Sequence, residues 1–189
     1  QAGVWERLSY RLYRNPFILV PLGSAFTYFI RYRWPKNTMK FGVLGVILHN
    51  LAIIALLTLL YQVAGGQGVV IWLSFSFLGG MIGVFLVYLQ HNFEDTYWDR
   101  RPDLNPVEAA LQGSSCLDFG WFFDLAVANI TLHDIHHFNA RIPSYRLRQC
   151  HYNLPPELAP RRIKFTEALQ ALSLKLWDEE QKRLVAFPV

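Results

Sequence analysis
From Phe41 to Phe93 the chain carries no aspartate, glutamate, lysine or arginine, a run of 53 residues without a formal charge. Within it, Phe41–Val63 and Val69–Leu89 each supply the roughly 20 apolar residues that a helix needs to cross about 30 Å of hydrocarbon. The five residues between them, Ala64 to Gly68, include three glycines and suit a tight turn between antiparallel helices. A chain of 189 residues is too short to surround two such helices with its own core. The expectation is a transmembrane helical hairpin rather than two buried helices of a soluble domain.

Charge outside this block sets the orientation. Residues 1–40 hold seven bases against Glu6 alone, and residues 94–189 hold eleven bases against thirteen acids. The formal charge of +4 is therefore a flanking effect beside a membrane boundary, and it does not point to nucleic acid. Lys36 and Lys40 precede the first helix, Arg100 and Arg101 follow the second, and the turn carries no base. Both ends of the hairpin are thus expected on the cytoplasmic side. Phe17–Ile30 is apolar but short, with Arg14 before it and Arg31 and Arg33 after it, so it is expected to lie along or dip into that interface. An apolar share of 52% excludes a disordered chain, and two cysteines, Cys116 and Cys150, exclude a disulfide-rich scaffold. The first residue is Gln1 rather than methionine, which suggests a processed or partial chain.

These readings describe an all-α membrane protein in three segments. Residues 1–40 form a cytoplasmic or interfacial segment with a short apolar helix. Residues 41–89 form the transmembrane hairpin, and residues 90–189 form a cytosolic helical region rich in histidine with an amphipathic tail. In that last segment Asp118–Asn139 reads as helical. Arg141–Pro160, with Pro143, Pro155 and Pro156, reads as loop-rich. In Arg162–Leu184, Phe165, Leu169, Leu172 and Leu176 recur at helical spacing.

Six histidines carry the chemistry that the sequence offers. His133, His136 and His137 stand in His-Asp-Ile-His-His, and on a helix the positions i, i+3 and i+4 share one face. Imidazoles converging there suit iron, zinc, copper or nickel; the plainer alternative is a solvated helix. His91 follows the second apolar helix, at the depth where a cytosolic metal domain would rest. Glu94 and Asp95, one turn on, are placed to orient its ring through the other nitrogen. His91 reads equally as an interface histidine beside Tyr97 and Trp98. His49 sits with Asn50 inside the first apolar helix, where a helix–helix hydrogen bond is the favoured role. His151 follows a loop and reads as a cap or bridge, with contact to metal or substrate as the alternative. Arg146 and Arg148 read as interface arginines or as a docking point for an acidic partner or lipid phosphate. The chain has no nucleophile elbow, Walker loop, GxGxxG or HExxH motif, which leaves hydrolase and nucleotide-binding readings without support.

The run HNFEDTYWDRRPD, then EAALQGSS, then HDIHHFNARIPSYRLRQCH resembles the C-terminal half of membrane fatty acid desaturases, nearest to the delta-12 and omega-3 acyl-lipid group. YRLYRNPF and KLWDEEQKRLVAF resemble that group too, so the likeness covers nearly the whole chain. The resemblance implies two histidine-held irons, dioxygen as co-substrate and a cis double bond introduced into an acyl chain. It also implies an acyl lipid or acyl thioester substrate and electrons from a ferredoxin or small haem protein. It makes His133, His136 and His137 the third histidine box, His91 the additional ligand, and Asn129 a residue behind the ligands or holding a water. The family's first two boxes have no counterpart before Tyr10, so the chain is expected to be the C-terminal part of such an enzyme and incomplete alone. HxxHH is shared with hydroxylases and ketolases of the same superfamily, which stand as the alternative. A non-catalytic membrane protein with zinc or no metal is the third reading.

Overall fold
The computed structural model describes residues 3–35, 42–100, 103–156 and 161–188. It divides into two compact units, Gln1–Phe85 and Leu86–Val189. Lys36, Lys40 and Arg101, which the sequence reading used as flanking charges, lie outside the described residues.

The first unit is helical. α1 (Val4–Tyr13) begins where the Gly3 amide donates to Glu6 Oε2 at 2.8 Å, satisfying one of the amides that a helix start leaves unpaired. α2 (Pro16–Phe29) begins at Asn15, whose side chain accepts from the Phe17 amide at 2.9 Å, with Pro16 at a position where its missing N–H costs nothing. A 3₁₀ turn, Arg31–Arg33, follows.

The long apolar block then forms α3 (Gly42–His91), which is long and apolar enough to cross a membrane. It is broken at Gly65, whose φ of 63° and ψ of −164° lie outside helical space, in a left-handed region that favours glycine. Stretches on either side of that break, including Ile53 and Leu57 on one and Trp72 and Leu73 on the other, line a single cavity.

At Gly80, α3 lies close against α2. A methyl group placed there would lie 2.5 Å from Ser24 Oγ and 2.9 Å from the Tyr28 ring. Serine can rotate away but the ring has less room, so Gly80→Ala is expected to cost about 1–3 kcal/mol, from overpacking. A lowered midpoint in denaturant unfolding of the detergent-solubilised protein is the readout.

The second unit departs from the expected all-α architecture. Its elements are the last turns of α3, then α4 (Pro106–Leu111), β1 (Cys116–Asp118), α5 (Trp121–Ala126), α6 (His133–Phe138), α7 (Ser144–Tyr152), β2 (Arg162–Lys164), α8 (Phe165–Ala171), β3 (Leu174–Asp178) and β4 (Arg183–Ala186). The helix expected over Asp118–Asn139 is interrupted. Gly120 has φ of 98°, and Ala128 and Asn129 have φ of 54° and 58°, so the chain turns twice between β1 and α6. The loop expected over Arg141–Pro160 contains α7 instead, because residues 144–152 hold no proline or glycine and Pro143 serves as its N-cap.

The amphipathic tail is helical only in α8. Before it, Ile163, 0% exposed, enters the core on β2, which pairs parallel to β1 in the register Leu117↔Ile163. After it, β3 and β4 pair antiparallel, with Trp177 opposite Leu184. That hairpin is tied to the segment after α3: the Leu184 amide donates to Glu94 O at 2.8 Å, and Trp98 packs on Trp177 with ring centroids 5.7 Å apart. Leu176 thus belongs to a strand, and its helical spacing from Leu172 is incidental.

Candidate metal centre
Three histidines of the second unit converge. His91 ends α3, where the helix terminus leaves carbonyls free for other partners. The Ser115 amide and hydroxyl donate to Gln90 O at 2.9 and 3.1 Å, and Gln90 Nε2 donates to Ile130 O at 2.6 Å. These bonds fasten the helix end to the strand and turn that lead into α6. His91 Nδ1 lies 2.7 Å from Gly113 O. A carbonyl only accepts, so His91 carries a proton on Nδ1, which leaves Nε2 as the nitrogen that can ligate.

α6 supplies the other two rings. His133 and His137 are one helical turn apart, while Ile135, 1% exposed, packs on Cys116, Leu132 and Leu147. The apolar residue therefore fixes which way the histidine face is turned. The three Nε2 atoms form a triangle with edges of 3.1 Å (His91–His133), 3.2 Å (His91–His137) and 3.0 Å (His133–His137). The His91 ring meets the other two edge-on, with interplanar angles of 74° and 87°.

This donor set fits a metal ion. Nitrogens about 2.1 Å from one ion stand about 3.0 Å apart on an octahedral face and about 3.4 Å apart on a tetrahedral one, which brackets the observed edges. Protonation favours the same reading. Burial, and then the neighbouring imidazoles, push His133 down to about 3, and burial and His91 push His137 down too. Both rings are therefore neutral at physiological pH and present lone pairs. His133 Nδ1 is buried and has no hydrogen-bond partner.

Those shifts predict how the metal-free protein responds to acid. His133 falls from 6.5 in the unfolded chain to about 3 when folded, so below pH 6.5 protons bind the unfolded chain first. Stability is fully present above pH 6.5 and is lost progressively towards pH 3. His137 and His151 shift in the same direction. Asp134, raised by burial from 3.8 to about 6, takes up its proton in the folded state first and offsets part of the loss between those values. Three histidines against one carboxyl leave a net loss. The urea midpoint of chelator-treated protein is expected to fall between roughly pH 7 and pH 5.

The other candidates are placed differently. His136 stacks on His133 with ring centroids 5.7 Å apart and is not one of the three converging rings. Asn129 precedes α6 in a left-handed conformation. Its Nδ2 donates to Ser144 O at 3.1 Å, and its buried Oδ1 has no hydrogen-bond partner. Asp95 is exposed and ion-paired with Arg161 at 3.6 Å, so the His91 ring is oriented by the Gly113 carbonyl instead. His151 is buried and accepts from Arg162 at 2.9 Å, outside the triangle. His49 belongs to the first unit and lines its cavity. Arg148 is structural: it bonds Asp124 at 2.7 Å, and Asp124 in turn accepts from Thr131 at 2.7 Å. Arg146 bonds Gln149 at 2.7 Å. The Cys116 thiol is pushed up to about 12 by burial and then by Asp134, which makes it inert rather than nucleophilic.

The chain is similar to known proteins. The family described as "Fatty acid desaturase" matches residues 3–168. A "Fatty acid desaturase" of Bacillus subtilis (strain 168) is 36% identical over 183 residues, which is 96% of this chain and 52% of that protein. The chain thus spans about half the length of this curated relative. No solved structure matches.

Proposed function
Because this chain belongs to the fatty acid desaturase family, we propose that its three converging histidines hold iron in an enzyme that places a cis double bond in an acyl chain. The observation that carries the proposal is the Nε2 triangle, in which His91, His133 and His137 bring one ring nitrogen each together with edges of 3.0–3.2 Å. Histidine-held iron supplies the oxidising chemistry when bound, with dioxygen as co-substrate and electrons from a ferredoxin or small haem protein. His91, His133 and His137 would be ligands on one ion. His136, on the same helix and beside His133, would be a further ligand, and Asn129, with its unused buried oxygen, would stand behind the ligands or hold a water. The protein's own work is positional. Gly113 fixes the tautomer of His91, Ile135 turns the α6 face, and Gln90 with Ser115 binds the helix end to that face.

The membrane arrangement follows the same reading. α3 would cross as two helices turning back at Gly65, with His91 emerging on the cytoplasmic side, where the flanking bases lie. The test is lipid analysis of a host that expresses the protein with a donor system. New cis-unsaturated acyl chains support the proposal. Oxygenated lipids would assign a hydroxylase or ketolase, and stoichiometric zinc without iron would assign a structural site.

A further inference from the structure
The first unit holds a cavity of about 820 Å³ between α2, the 3₁₀ turn and both stretches of α3. Its size falls in the range of ligand pockets, about 300–1,000 Å³. The wall is largely apolar, with Ile53, Leu56, Leu57, Trp72 and Leu73 on it; His49 also lines it, and among the described residues Arg33 is the only lysine, arginine or acid that does. Arg33 is held in place by neutral groups. Its Nη1 donates to Asn50 Oδ1 at 3.3 Å, and Asn50 Nδ2 donates back to Arg33 O at 3.0 Å. Its Nε is buried and has no hydrogen-bond partner.

The sequence offers this guanidinium no counter-charge nearby. Between Arg7 and Phe93 there is no aspartate or glutamate, and Glu6, the one acid of the first unit, bonds the Gly3 amide. A cation beside an apolar slot, with a buried donor unused, calls for an anion joined to a hydrocarbon chain. We propose that the cavity binds one anionic phospholipid, its phosphate on Arg33 and one acyl chain along Ile53, Leu57 and Leu73. All of these residues belong to the first unit, and none of them is one of the three converging histidines. The proposal does not depend on the desaturase reading.

Gly79 provides a clean test, because a Cβ added there meets nothing within 4 Å and its position lines the cavity. Gly79→Leu therefore puts an apolar side chain into the slot from a position where its Cβ meets no neighbour. Native mass spectrometry of the detergent-solubilised protein, incubated with equal amounts of phosphatidylglycerol and phosphatidylcholine, reads occupancy directly. One phosphatidylglycerol per chain is expected, preferred over phosphatidylcholine by about fivefold, the worth of one arginine near an anionic headgroup. Arg33→Gln should abolish the preference, and Gly79→Leu should remove the bound lipid while leaving the unfolding midpoint unchanged. Equal retention of the two lipids by the wild type, or lipid retained by both variants as in the wild type, would overturn the proposal. Displacement of phosphatidylglycerol by oleate at equal concentration would assign the cavity to a free fatty acid and overturn the phospholipid assignment.

Discussion
His133→Ala is expected to lower iron affinity by more than about 100-fold and to abolish turnover. Loss of a group that merely supports a ligand already costs 10–100-fold, and His133 is a proposed ligand itself. The fold should survive the change. His133 is 6% exposed and its Nδ1 has no partner, so its removal takes away an unsatisfied buried donor or acceptor along with the ring. The metal-free variant should therefore unfold within about 1 kcal/mol of the metal-free wild type. Iron titration followed by denaturant unfolding of both proteins checks the pair of outcomes. A variant that binds iron as well as the wild type would remove His133 from the ligand set.

Ile135→Ala should produce the opposite pattern. Ile135 is 1% exposed and packs on Cys116, Leu132 and Leu147, so truncation leaves a cavity worth about 2–5 kcal/mol. All three ligand rings are intact in this variant. Iron should therefore still bind, more weakly, and should restore part of the lost stability by binding only the folded state. The readout is the denaturant midpoint with and without iron. A midpoint unchanged from the wild type would mean that α6 is held by something other than this core.

The contrast between these two residues shows what the sequence made legible. Charge-free length was enough to recognise the apolar block, and Gly65 lies within the turn expected from the Ala64–Gly68 stretch. The i, i+4 spacing of His133 and His137 was enough to place them on one face. The convergence of His91 with them, 42 residues away from His133, was not legible from spacing. It depends on Gln90, Ser115 and Ile130, and the oriented tautomer of His91 depends on the carbonyl of Gly113, a backbone group with no side-chain signature. Glu94 and Asp95, the acids that spacing offered for that role, are drawn away to Arg183 and Arg161.

The small sheets were missed for a related reason. β1 and β2 are three residues each, too short for alternation to stand out, and they form because Leu117 and Ile163 are buried together. In the tail, Phe165 and Leu169 hold helical spacing through α8. Continuing that spacing to Leu176 assigned to a helix a residue that pairs across a strand with Val185. Tertiary pairing decided these elements, and propensity alone could not.

The central claim is that His91, His133 and His137 bind one iron. Iron K-edge X-ray absorption on the protein loaded anaerobically with ferrous iron tests it most directly. The expected result is a nitrogen shell with the multiple-scattering signature of imidazole, reduced in amplitude in His91→Ala, His133→Ala and His137→Ala alike. An iron spectrum without imidazole scattering, or one left unchanged by all three substitutions, would contradict it.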